Sequence, residues 1–99
     1  MKLEEKLFTD SDILIRNNDK VMFSEVDGES VIMHLESGNY FGLNSVSTAI
    51  WKHLENNISF KELIELLVSE YDVTKKQCVS ETGNIINALL KMKFITKKE

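Results

Sequence analysis

"VMFSEVDGESVIMHLESGNYFGLN", residues 21–44, holds three apolar-rich stretches and two turns. Val21–Val26 and residues 30–35 flank Asp27-Gly28, a dipeptide in which both central residues tolerate positive φ. It therefore suits a two-residue hairpin. A second turn around Gly38 returns the chain through Tyr40–Leu43. Consecutive hairpins predict a three-stranded antiparallel meander, with Val21–Val26 and Tyr40–Leu43 as its two edges. Upstream, residues 1–20 read as a lead-in with a short strand at 13–16, ended by the Asn17-Asn18-Asp19 turn.

Downstream, the period changes to that of helices. Asn44 is placed to cap a first helix, with Val46, Ala49, Ile50 and Leu54 at helical spacing as its buried stripe. Ser59-Phe60-Lys61-Glu62 has the form of a capping box: the serine accepts from a free backbone amide and the glutamate reaches back. It predicts a helix through Tyr71 that buries Phe60, Leu63, Ile64, Leu67 and Tyr71. Thr74-Lys75-Lys76-Gln77 starts a third helix running to about Met92, after which Phe94 and Ile95 fold back. The expected fold is α+β and winged-helix-like, a three-stranded antiparallel meander followed by three helices. The domain spans 21–95 and a basic tail occupies 96–99.

The whole chain sets the limits. Its 99 residues suffice for one modest core. With 42% hydrophobic and 28% charged residues, the composition is that of a globular protein rather than a disordered one. No apolar run exceeds three residues, so no membrane span is expected. The N-terminus is charged from Lys2 and has no apolar signal core, which predicts a cytoplasmic protein. A single cysteine, Cys78, excludes an internal disulfide. The net charge of −4 hides a polarity: residues 1–73 carry 6 basic against 14 acidic side chains, and residues 74–99 carry 6 against 2.

Chemistry-bearing constellations are scarce. Cys78 stands near a helix start, where a dipole lowers thiol pKa, but nucleophilic use needs a base. The two histidines, His34 and His53, lie in no recognisable signature. A lone cysteine on an apolar helix face is ordinarily a packing residue, and Trp51 beside the first helix's stripe reads as core. There is no paired Cys/His spacing for a closed metal site, and no glycine-rich phosphate loop. The residues predict neither catalysis by this chain alone nor a cofactor.

Binding is the better-marked property. Strand side chains alternate, so Tyr40 and Phe41 cannot both face one core. Asn39, Tyr40, Phe41, Gly42 and Leu43 form an uncharged edge, without the lysine, proline or bulge that usually guards one. The competing possibility is that residues 1–16 cover it. The third helix carries two neighbouring apolar stripes. Gly83 inside a helix costs roughly 1 kcal/mol relative to alanine, so a close neighbour is expected there. The stripe Val79, Gly83, Ile86 and Leu90 is therefore assigned to the core. That leaves Cys78, Thr82, Ile85 and Leu89 to flank a groove beside the open edge, a geometry suited to peptide capture by strand addition. An open edge also allows a homodimer by self-pairing.

The strand "GNYFGLN" leading into "AIWKHLEN", the helix start "SFKELI" and the closing "LLKMKFI" together resemble the PqqD-like proteins over about residues 21–95. These comprise the D protein of pyrroloquinoline quinone synthesis and the precursor-recognition domains of other peptide-modification pathways. The resemblance implies a non-catalytic adaptor. Such an adaptor binds the leader segment of a ribosomally made precursor peptide as an added strand and presents it to a modifying enzyme, often a radical S-adenosylmethionine protein. Carried over, the binding elements are Asn39 to Leu43 and the helix at 78–89. Two departures stand out. Lys93 replaces a common glycine before the last apolar pair, and Thr82 and Gly83 stand where larger apolar residues are usual, implying an altered groove.

Two other functions compete. A winged-helix DNA-binding protein would use the third helix for recognition, but its middle offers only Asn84 and Asn87 with acidic Glu81, on an acidic body. A purely structural subunit would bind the modifying enzyme without binding a leader peptide.

Overall fold

The computed structural model describes residues 5–98. Strand β1 is Leu14–Arg16, followed by β2 (Val21–Val26), β3 (Glu29–His34) and β4 (Tyr40–Leu43). Helices α1 (Ser45–His53), α2 (Phe60–Glu70) and α3 (Lys75–Lys91) come next, and β5 (Ile95–Lys97) closes the chain. The predicted meander is present as a sheet of order β2-β3-β4, antiparallel throughout.

The β2–β3 turn forms as its sequence demands, with Asp27 at φ 55° and Gly28 at φ 82°. Pairing of Val26 with Glu29 fixes the hairpin register. Along β3, Ser30, Ile32 and His34 point inward and are buried, whereas Val31 and Met33 point outward and are exposed. In β4 the two aromatics part as alternation requires. Phe41 turns inward against Phe94, ring centroids 6.4 Å apart, and Tyr40 stands 72% exposed.

Each helix start is satisfied by the residue the sequence offers. Asn44 accepts from the backbone N–H of Ser47, both halves of the Ser59–Glu62 capping box are made, and Thr74 accepts from the N–H of Gln77. Helix α3 ends in a Schellman motif: Phe94 N–H donates to the carbonyl of Leu89 and Lys93 N–H to that of Leu90. This places Lys93 at φ 65°, the left-handed conformation in which a glycine is most at ease.

The core gathers Ile32, Ile50, Trp51, Leu54, Phe60, Leu63, Leu67, Ile86, Leu89 and Phe94 from sheet and helices. Each such side chain contributes about 1.5–3 kcal/mol by leaving water. Trp51 is 1% exposed, as a core residue, and Cys78 is a buried thiol. A buried hydrogen bond of 2.8 Å between the hydroxyls of Ser30 and Thr48 ties β3 to α1.

Three features depart from the sequence expectation or bear on an alternative it left open. The C-terminal residues read as a tail begin with a strand: β5 pairs antiparallel with β1, Leu14 opposite Lys97. The Arg16 guanidinium lies 4.7 Å over the Trp51 ring beside this clasp, where burial lowers its pKa and the charge of Glu55 acts in the opposite direction.

The lead-in's first four residues lie outside the described ones, and among the described residues no part of it pairs with the outer side of β4. Phe8, 4% exposed, packs on Phe60 with ring centroids 4.7 Å apart, and the Lys6 ammonium sits over both rings. Asn87 receives the lead-in backbone: its Oδ1 accepts from Leu7 N–H at 2.8 Å and its Nδ2 donates to Glu5 O at 2.7 Å.

Burial in α3 follows neither stripe as assigned. Cys78, Thr82 and Leu89 are buried together with Ile86, whereas Val79 is exposed and Gly83 faces the lead-in. The close approach expected at Gly83 is ordinary contact, since a Cβ there would stand 3.9 Å from Phe60 and 4.0 Å from Phe8.

Candidate functional site

Strand β4 pairs with β3 through Ser30–Leu43 and Met33–Tyr40, and packs on the start of α1. On its other side no strand pairs with it among the described residues. The backbone groups along that side are thus available to a further strand. Asn39, Tyr40 and Gly42 are exposed, Phe41 is half-buried and Leu43 is buried.

Where β4 ends, at Asn44, a cavity of about 170 Å³ opens among the three helices. Val46, Ser47 and Ile50 of α1 form one wall, and Leu67, Tyr71 and Val73 from α2 and its exit form the base. Cys78, Glu81, Thr82 and Ile85 of α3 form the facing wall. The lining is apolar apart from the small hydroxyls, Asn44 and the Glu81 carboxylate, which accepts from Gln77 Nε2 at 3.1 Å. Inside, Cys78 Sγ lies 3.8 Å from Thr82 Oγ1.

Of the residues expected to flank the groove, Cys78, Thr82 and Ile85 line this cavity. Leu89, 1% exposed, belongs to the core one turn further on. The α1 and α2 walls have no counterpart in the sequence expectation. Helical spacing puts Val46 in the buried stripe of α1, yet it is 41% exposed and borders the opening. Its position immediately after the cap of a helix that follows the edge strand is the one sequence signal that points to it.

Among the described residues no group of three or more His, Cys, Asp or Glu is placed to hold a metal ion. None of the described helices is long and apolar enough to cross a membrane. Asn87, one of two polar candidates for base reading in α3, is occupied by the lead-in backbone.

The fold is thus a winged-helix-like α+β domain in which the unpaired side of β4, one of two sheet edges, runs into a largely apolar cavity between the helices. The family model described as coenzyme PQQ synthesis protein D (PqqD) matches residues 29–95, and the chain belongs to that family. None of the curated proteins matches the sequence. Among solved structures, the chain is similar to one described as TbiB1 in complex with the TbiA(beta) leader peptide. The TM-score is 0.73 at 28% identity, covering 82% of this chain and 94% of the other. A second, lasso peptide synthetase B1 complexed with the leader peptide, shares the fold at TM-score 0.64 and 21% identity, covering 83% and 94%.

Proposed function

We propose that this protein is a non-catalytic adaptor that binds the leader segment of a ribosomally synthesised precursor peptide and presents it to a modifying enzyme of the radical S-adenosylmethionine class. The leader adds as a strand along the free side of β4, at Asn39 to Leu43. Backbone hydrogen bonds supply affinity, and the cavity at Cys78, Thr82 and Ile85 takes an apolar side chain. The observation that carries this function is the unpaired side of β4 leading directly into that cavity. Family membership and the likeness to leader-bound TbiB1 support the choice of ligand.

The test is an NMR amide titration with a synthetic leader of the precursor encoded nearest its gene. The expected result is a set of shifts at residues 39–43 and along the cavity-facing side of α3, with an affinity nearly independent of salt. An affinity for duplex DNA that falls steeply with salt, without leader-induced shifts, would instead mark a nucleic-acid protein.

A further inference from the structure

Gly42 has no conformational or packing reason to be glycine. It does not adopt positive φ, and a Cβ built on it would meet nothing within 4 Å. Glycine within a strand is nevertheless destabilising by roughly 0.5–1 kcal/mol relative to alanine. Its side-chain direction is the outer face of the sheet, opposite Val31, which in turn pairs with Ser24. With small residues on both sides of Val31, the three strands form an open trough of about 600 Å³. Next along the same face, the strand register places Met22, Met33 and Tyr40 side by side. At the hairpin end, Val26, Asp27 and Glu29 line the trough. Glu29 and Asp27 form no ion pair among the described residues, whereas Glu25, on the other face, is held by Lys52 at 2.8 Å.

We propose that this trough receives a lysine or arginine side chain of the leader, projecting from the residue that lies opposite Gly42. The proposal rests on strand addition at β4. Given that, alternation turns the residue opposite Gly42 to the outer face, away from the helical cavity. An added strand lies about 10 Å from β3, two strand spacings away. A long basic side chain laid across Gly42 spans most of that distance, and the flexible Glu29 side chain the rest. Its aliphatic stem covers Val31 while its cation meets the Glu29 carboxylate, the usual division for amphipathic side chains. Any side chain at position 42 would stand in its path. Charge decides for a basic occupant over an aromatic one, because the trough ends in two unpaired carboxylates. Gly42 and Glu29 thereby select the leader by the residue at one register position.

The experiment measures leader affinity and β4 amide shifts for the protein and its Gly42→Val and Glu29→Gln variants. An inter-strand NOE to the Gly42 α-protons identifies the leader residue opposite. Gly42→Val is expected to keep or raise thermal stability and to weaken binding about tenfold or more. Glu29→Gln is expected to weaken it roughly two- to fivefold, the range for an exposed ion pair. That loss should vanish when the identified lysine is replaced by norleucine, or an identified arginine by an uncharged isostere. Unchanged affinity of Gly42→Val with β4 shifts intact overturns the trough while leaving strand addition standing. An apolar or acidic residue opposite Gly42, or a Glu29→Gln loss that persists with the uncharged leader, overturns the basic occupant. If no β4 shifts occur with the wild-type protein, strand addition fails and the proposal with it.

Discussion

The side-chain oxygen of Asn87 accepts a 2.8 Å hydrogen bond from the backbone N–H of Leu7, joining residues 80 positions apart. With the companion bond from Asn87 Nδ2 to Glu5 O, one amide of α3 satisfies a donor and an acceptor of the lead-in. The lead-in is thereby built into the domain although it lies outside the family-matched segment 29–95. Phe8→Ala is expected to destabilise by about 3–5 kcal/mol, the range for truncating a buried phenylalanine. Asn87→Ala should cost about 1–3 kcal/mol by orphaning two part-buried backbone groups. Urea denaturation decides: losses below about 0.5 kcal/mol in both would mean that the lead-in is only loosely attached.

Gly83 is a place where the chain can be improved. The neighbours that a methyl group would meet are at ordinary contact distance. Gly83→Ala is therefore expected to stabilise α3 by about 1 kcal/mol. For a domain of this size that raises the melting temperature by about 4–8 °C. A lowered melting temperature would show that the lead-in packs on Gly83 more tightly than these distances allow.

Lys93 is the converse case. It holds the left-handed position of the Schellman motif, which costs a residue with a Cβ about 1–2 kcal/mol. Lys93→Gly relieves that cost and adds unfolded-state entropy of about 0.5–1 kcal/mol. The net expectation is a gain of up to about 1.5 kcal/mol in thermal or chemical unfolding, and a loss would locate a compensating role in the lysine side chain.

Between Ser30 and Thr48 the expected signature is non-additivity. Ser30→Ala or Thr48→Val alone leaves a buried hydroxyl without its best partner, at about 1–3 kcal/mol. The double variant removes both and should cost less than the sum. A double-mutant cycle reads this directly, and strict additivity would show that the 2.8 Å contact contributes nothing specific.

Binding is best probed at Val46. Phe41 is half-buried against Phe94, so a charge there disturbs the core as well as the groove. Val46→Asp, on an exposed rim position, should change stability by no more than about 0.5 kcal/mol. It should weaken leader binding about tenfold or more by placing a carboxylate at the mouth of an apolar cavity beside Glu81. Undiminished affinity would remove this cavity from the binding site.

Locally encoded features are legible in the sequence itself. The Asp27-Gly28 turn, the Ser59–Glu62 box, the caps at Asn44 and Thr74 and the opposed aromatics Tyr40 and Phe41 depend on neighbours within a few residues. The β1–β5 clasp is not legible there, because three-residue strands carry almost no periodic signal and Leu14 meets Lys97 across nearly the whole chain. The faces of α3 mislead for a different reason. Both stripes are apolar, and which is buried depends on where Phe8 and the other helices pack. The open strand is thus readable as a β-pattern, but the cavity, which needs three helices in register, is readable only on the α3 side.

The β1–β5 clasp has a mechanical consequence. It shares no strand with the β2-β3-β4 sheet, and its antiparallel pairing brings Leu14 and Lys97 side by side. Force applied between these two positions would load the three-residue ladder from its end, together with the buried Leu14 side chain and its backbone bond to Ile58, none of which belongs to the sheet that carries the β4 edge.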